Sequence, residues 1–145
     1  MKKKLTHLCW LIVFVSAAFA CKKDKPGADY TALLVRQPWK YDVMGADYNK
    51  DGKIDFQTTL APCLSDELIY FFEDGNGLLD QGANLCYPAF PQTQAFTWQL
   101  LNNNTQLEYA GATYTILQLD ETHLTVYTDE FVGDETIRQI ARYKH

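Results

Sequence analysis

The stretch ELIYFFEDGNGLLD, residues 67–80, decides the fold class of this chain. Its first six residues form a strongly apolar strand pattern headed by Glu67, as in a buried strand. The Asp-Gly-Asn-Gly sequence at 74–77 then predicts a tight turn, and residues 77–80 begin a returning strand. The stretch therefore predicts a β-hairpin, and β patterns continue after it along the chain.

Short β patterns separated by turns account for most of the chain after residue 38. The clearest alternation is at 95–101, where Phe96, Trp98 and Leu100 share one face of a strand. Asp29 is the expected N-cap of a short helix or turn before the first strand. The predicted strands are residues 39–44, 67–72, 77–80, 95–101, 106–109, 112–119, 123–128 and 136–144. This spacing predicts an all-β domain, a sandwich or, as we prefer, a small antiparallel up-and-down barrel of about eight strands.

Residues 1–20 have the features of a signal peptide. Three lysines at 2–4 precede an apolar run at 8–15, which is shorter than the roughly 20 residues that span a bilayer. The small residues before Cys21 resemble a lipobox, in which the cysteine is acylated, although Ala18 replaces the usual leucine. Ordinary secretion is the alternative, because Ala-x-Ala also precedes the cysteine. The polar segment that follows favours lipidation, and residues 21–28 are predicted to be a lipidated cysteine and its tether.

Export also bears on the remaining cysteines. Cys9 leaves with the signal peptide and Cys21 carries the lipid, so Cys63 and Cys86 remain as one pair in an oxidising compartment. A disulfide between them is the expected state. The alternative, a pair of metal-binding thiolates, lacks further ligands at the spacing of a metal site.

The charge balance excludes one class of partner. The chain has 13 basic and 18 acidic residues, and removal of residues 1–20 takes away three lysines and no acid, which leaves a net charge of −8. A negative domain without a basic face predicts no nucleic-acid partner. Residues 29–145 are long enough for one domain with a modest core, and we expect a monomer held at the membrane by its N-terminal lipid.

The sharpest local motif is DYNKDGKID at 47–55, which fits the first nine positions of an EF-hand-type calcium loop. The predicted calcium ligands are Asp47, Asn49, Asp51, the backbone carbonyl of Lys53, and Asp55. The bidentate glutamate usual at position 12 is replaced by Thr58, and no helix pattern flanks the loop. A solvated acidic turn is the alternative, because Asp, Asn and Gly dominate turns for local reasons.

Aromatic side chains are the other candidates for a binding site. In a barrel they would either line a cavity for an apolar ligand or fill the interior. The predicted lining residues are Trp39, Tyr70, Phe72, Phe96, Trp98, Tyr114 and Tyr127. The acidic pairs at 129–130 and 134–135 raise a weaker alternative, a glycoside hydrolase. Adjacent acids in a hairpin loop are more typical of a solubilising turn, so no catalytic residue is predicted.

The order of these features resembles the lipocalin-like domain lipoproteins of Bacteroidota. The shared features are Trp39 in the first strand, an acidic insert at 47–52, Cys63, an aromatic strand ending in Asp-Gly at 74–75, Cys86, Trp98, and paired closing strands at 114–119 and 124–127. One departure is Gln37-Pro38 in place of the usual glycine. The resemblance implies a small antiparallel barrel without enzymatic activity. We therefore expect an outer-membrane lipoprotein of the cell envelope that binds a small apolar ligand or an envelope protein; an accessory interaction module with a filled core is the alternative.

Overall fold

The computed structural model describes residues 29–145. The expected signal peptide, lipidation site and tether lie outside the described residues. Within 29–145 the chain forms one short helix and nine strands, and every strand pairing is antiparallel. The elements are α1 (Tyr30–Val35), β1 (Lys40–Asp47), β2 (Phe56–Thr58), β3 (Leu68–Phe71), β4 (Asn76–Asp80), β5 (Thr93–Leu101), β6 (Gln106–Tyr109), β7 (Ala112–Leu119), β8 (His123–Val132) and β9 (Glu135–Lys144). The all-β prediction is confirmed.

Helix α1 covers one end of the sheet. Asp29 is its N-cap, as expected, and the Asp29 carboxylate accepts a hydrogen bond of 3.1 Å from the amide of Ala32. Leu34 is fully buried, and its carbonyl accepts a 3.0 Å hydrogen bond from the indole of Trp39, which fastens the helix to the first strand. No helix in the described part of the chain is long and apolar enough to cross a membrane.

The nine strands form one sheet in the order β2-β1-β9-β8-β7-β6-β5-β4-β3. The sheet curls until its ends meet at one residue pair, where Trp39 and Ile69 exchange two backbone hydrogen bonds of 2.8 Å each. This single bridge is not a continuous ladder, so the sheet is not closed into the barrel that we expected.

The sheet stays open because of how the edge of β1 that faces away from β9 is paired. Its start meets β3 through Trp39, but its end pairs with β2, from Met44 to Ala46. Gly45 permits this second pairing, because a Cβ at that position would lie 2.2 Å from the carbonyl oxygen of Phe56. The two edges therefore meet at one point and separate beyond it.

The core lies on the inner face of the curled sheet and includes Leu34 of α1. Its buried members come from the inner face of alternate positions along the strands. They are Leu34, Trp39, Ile69, Phe71, Trp98, Leu107, Tyr109, Leu119, Leu124, Val126 and Tyr143. The Phe71 ring lies at the centre, edge-on to the rings of Trp98 and Tyr109 at centroid distances of 5.4 and 5.7 Å.

The predicted disulfide between Cys63 and Cys86 is present. It joins the segment before β3 to the long loop between β4 and β5. That loop is also held from within by Gln81, which is fully buried and whose side-chain amide bonds to the backbone of Tyr87 and Pro91. The loop between β4 and β5 is therefore held by one covalent link and by hydrogen bonds within it.

Candidate ligand-binding cleft

A cleft of about 320 Å³ lies where the edges of the sheet separate beyond the Trp39–Ile69 bridge. We call it the seam cleft. Its walls come from β1, the start of β3, β4, β5 and the two disulfide-linked loops. The lining residues are Tyr41, Leu64, Glu67, Leu79, Tyr87, Phe90 and Gln94. Three aromatic rings, two leucines and only two polar side chains give it the mainly apolar lining with few polar groups that is typical of a small-molecule site.

Strand alternation explains why these side chains meet. Tyr41 lies two residues after Trp39, and Glu67 lies two residues before Ile69, so each points to the same inner face as its buried neighbour. The loop between β4 and β5 adds the outer wall, where the rings of Tyr87 and Phe90 pack edge to face at 6.1 Å.

Glu67 is the polar group at the base of the cleft. Only 5 % of the residue is exposed. Among residues 29–145 no side chain donates a hydrogen bond to its carboxylate or forms an ion pair with it. Burial raises the pKa of Glu67 above its ordinary value of 4.5, and the neighbouring charge of Asp66 adds to the rise.

A cluster of tyrosines adjoins this carboxylate. The hydroxyls of Tyr109 and Tyr143 are 2.9 Å apart, and the rings of Tyr41 and Tyr143 pack at 4.6 Å. Burial raises the pKa of the Tyr109 and Tyr143 phenols well above 10, so both stay protonated. Burial also raises the pKa of Tyr41; its hydrogen bond with Tyr143 opposes the rise, and the charge of Glu67 adds to it.

The cluster continues into a second, smaller opening of about 180 Å³, lined among others by Tyr41, Tyr114 and Tyr143. Tyr41 lies on both openings, so a connected set of phenol rings, which includes the core members Tyr109 and Tyr143, adjoins incompletely filled space.

Of the aromatic residues predicted to line a cavity, the two tryptophans fill the core instead. Trp39 is fully buried, and Trp98 is 7 % exposed with its indole donating to the carbonyl of Phe72 at 3.0 Å. Phe96 packs against the core through the ring of Phe71. Tyr114 lines the second opening, stacked on Tyr109 at 4.8 Å.

The other three predicted residues lie outside the interior. Tyr70 alternates with the buried Ile69 and Phe71 and so points to the outer face, and Phe72 is 44 % exposed. The ring of Tyr127 lies 3.8 Å beneath the guanidinium of Arg138.

The sequence did hold a signal for two residues that the prediction missed. Glu67 heads an apolar strand pattern at an inward position, and Tyr41 follows Trp39 at the same parity. Tyr87 and Phe90 lie in a proline-containing loop, where the sequence has no periodicity from which the direction of a side chain could be predicted.

The predicted calcium loop folds around its own backbone. Asp47 accepts from the amide of Gly52 at 2.9 Å, Asn49 from that of Asp51 at 2.8 Å, and Asp51 from that of Lys53 at 2.9 Å. The carboxylate of Asp55 accepts from the amide of Tyr48 at 2.8 Å and more weakly from that of Asn49. These contacts give the loop a defined shape, but across the described residues no three Asp, Glu, His or Cys side chains gather as a metal site.

A cation of the protein itself lies against this loop. Asp47 is fully buried, and the guanidinium of Arg138 lies 3.7 Å from its carboxylate. The same guanidinium donates to the carbonyl of Lys50 at 3.3 Å and to Asp129 at 3.4 Å. Arg138 therefore ties the loop to β8 and β9 and neutralises the one acid of the loop that is fully buried.

The acidic pairs considered for hydrolysis lie towards the tip of the β8–β9 hairpin. Asp129 and Glu130 are consecutive strand residues and point to opposite faces. Asp129 pairs with Arg138, and Asp134 and Glu135 lie exposed at the hairpin turn.

Comparison with known proteins adds no family: no family model matches the chain, and no curated protein matches it significantly. The resemblance to lipocalin-like domain lipoproteins stays a prediction from the order of sequence features. The geometry of the seam cleft is therefore the basis for a function.

Proposed function

We propose that this protein is a non-enzymatic lipoprotein of the outer membrane whose β domain binds a small, largely apolar molecule in the seam cleft. The observation that carries the proposal is the cleft itself, an opening with a mainly apolar lining between the inner face of the sheet and the loop before β5. Its volume of about 320 Å³ lies at the lower end of the range for small-molecule sites.

The seam has a direct role in this proposal. We infer that β1 and β3–β9 form an incomplete barrel. The Trp39–Ile69 bridge joins its two edges at one point, and the edges stay apart on the side of Tyr41 and Glu67. A ligand in the cleft would contact both edges, Tyr41 on β1 and Glu67 before β3, and so complete the wall that the backbone leaves unpaired. Binding would then stabilise the folded domain, because the ligand contacts exist only in that state.

The proposed location rests on the N-terminal sequence and on one structural feature. Cys21 would be acylated and residues 22–28 would hold the domain away from the membrane surface. The Cys63–Cys86 disulfide is consistent with an oxidising compartment outside the cytoplasm. Replacement of Cys21 by serine is expected to release the protein from membranes.

The ligand site can be tested with Nile red, an uncharged apolar dye that fluoresces on leaving water. We expect the Cys21→Ser protein to bind the dye and Gln94→Trp, which places a large ring in the cleft, to abolish the signal. Gln99→Trp is the matched control, because Gln99 lies on the same strand, β5, with its exposed side chain on the outer face. Equal dye binding by the two tryptophan variants would refute the seam cleft as the site.

One observation favours a second candidate, a protein-interaction module. The tip of the β8–β9 hairpin exposes Phe131 at 84 % and Val132 at 55 %. Exposed apolar residues at a projecting tip are suited to contact with another envelope protein. In that case Phe131→Ser would remove the interaction and leave dye binding unchanged.

A further inference from the structure

Glu67 is a buried acid without a partner in the described part of the chain. The ion pairs of that region lie elsewhere: Arg36–Glu121, Lys53–Asp51, Arg138 with Asp47 and Asp129, and Arg142 and Lys144 with Asp42. None of the residues that line the seam cleft is basic. A carboxylate that is largely buried and left unpaired costs free energy, so a positive charge supplied through the cleft would gain a favourable interaction here.

The walls around Glu67 suit the same kind of ligand. Tyr41, Tyr87 and Phe90 present aromatic rings in the cleft, and the faces of such rings attract organic cations. The aromatic and leucine surface also accommodates an apolar group attached to the charged one. An anion is disfavoured by Glu67 and by the net charge of the chain, −5.

We propose that the seam cleft selects a small organic amine, with its ammonium group paired to Glu67 and packed against the rings of Tyr41 and Tyr87, and its apolar body along Leu79 and Phe90. This inference rests on the proposed function and names the class of ligand. A metal ion fits less well, because calcium takes 6–8 oxygen ligands and the cleft offers one carboxylate. The adjacent Asp66 points its Oδ2 to the amides of Ala83 and Asn84 instead.

The raised pKa of Glu67 agrees with this assignment. Without a ligand the carboxyl group holds its proton more tightly than in water, and a bound ammonium would favour the ionised form again. Binding of the ammonium therefore favours the ionised form of Glu67, which is the form that pairs with it.

Isothermal titration of the full chain carrying Cys21→Ser tests the inference. The probe is phenethylammonium, and its uncharged counterpart is 2-phenylethanol, which has the same ring and chain length. We expect the ammonium to bind at least about tenfold more tightly, as for a charge-assisted hydrogen bond. Glu67→Gln should remove this preference and retain the affinity for the alcohol.

Two further variants make the result specific. Glu73→Gln removes an exposed acid just after β3 and should leave the preference unchanged. Tyr87→Leu keeps apolar area but removes a ring, and the hydrogen bonds with Gln81 are retained because Tyr87 makes them through its backbone. It should weaken ammonium binding several-fold and alcohol binding little.

Equal affinity for the two probes, or a preference that survives Glu67→Gln, would overturn the inference. If Nile red binds and Gln94→Trp blocks it while the ammonium shows no preference, the inference fails and the proposed function stands. If neither the dye nor either probe binds, both fail.

Discussion

Trp39 and Ile69 form the one backbone bridge that joins the two ends of the curled sheet, through a pair of 2.8 Å hydrogen bonds. On one side of this bridge lie the filled core and α1. On the other side the edges separate, and Tyr41 and Glu67 face unfilled space. The bridge therefore marks the boundary between the part of the domain that maintains the fold and the part that we propose binds a ligand.

The disulfide should stabilise the fold and also shape the cleft. Replacement of Cys63 and Cys86 by alanine is expected to lower the free energy of unfolding by about 2–4 kcal/mol, because the unfolded chain is no longer constrained. The loop that carries Tyr87 and Phe90 should loosen as well, and Nile red should bind more weakly. Chemical denaturation and dye titration measure the two effects; unchanged dye affinity would show that this loop does not form the cleft wall.

The ion pair between Asp47 and Arg138 should matter more than the pair between Asp129 and Arg138. Asp47 is fully buried, so Asp47→Asn leaves Arg138, only 15 % exposed, without its buried counter-charge, and should cost about 3–5 kcal/mol. Asp129 is 41 % exposed, and Asp129→Asn should cost less than about 1 kcal/mol. Urea unfolding of both variants checks the order. Similar losses in both would contradict a buried role for Asp47.

Stability should depend on pH through Glu67. Because its pKa is raised, the folded state holds this proton more tightly than the unfolded state does. The contribution of Glu67 to stability is therefore fully present below 4.5 and is lost as pH rises through the raised pKa. Asp66 adds repulsion, and the other titratable groups that face Glu67 are the phenols of Tyr41 and Tyr87.

Glu67→Gln removes this dependence. The variant should be more stable than the parent protein at pH 8, and the two should converge below 4.5. Thermal unfolding across this pH range measures the difference, with Glu73→Gln as the exposed control. A parent protein that is more stable than Glu67→Gln at pH 8, in the absence of ligand, would show that the carboxylate has a partner.

We also propose weak calcium binding by the loop at 47–55, whose sequence fits the motif and whose side chains accept hydrogen bonds from the backbone amides of residues 51–53. With a dissociation constant of about 1 mM, 10 mM calcium would stabilise the domain by about 1.4 kcal/mol. The midpoint of thermal unfolding should then rise by about 5 °C. Asp51→Asn should remove the rise. An equal rise with magnesium, or none with calcium, would contradict calcium binding by this loop.

The strands were predictable because their signal is local. All eight predicted strands are present, since alternation and turn residues act within a few positions. Strand β2 was missed because it has only three residues, all exposed, which give no apolar alternation. Its pairing with β1 also depends on Gly45, where a side chain would clash with the β2 backbone. The open seam could not be predicted from the sequence either, because it depends on which residues of β1 pair with β2 and which pair with β3.

The site was predicted less well than the fold for a related reason. The sequence left open whether the indoles line a cavity or fill the interior. Trp39 and Trp98 fill it, because side chains that bury the most area stabilise a small domain most when they are fully packed. The cleft is lined instead by Tyr41, Glu67, Leu79 and Gln94 on or beside the strands, and by Leu64, Tyr87 and Phe90 in the disulfide-linked loops. The tertiary fold decides which inward-facing residues belong to the core and which line the cleft. The alternation of a strand shows only which residues face inward, so it cannot separate these two groups.

Native mass spectrometry of the protein, purified without denaturation from the cells that produce it, tests the seam cleft most directly. We expect the parent protein to retain a small organic mass, and the Gln94→Trp variant, produced in the same cells, to carry none, with Gln99→Trp behaving as the parent. A bare polypeptide mass for the parent, or the same added mass on Gln94→Trp, would contradict a ligand held between Tyr41 and Glu67.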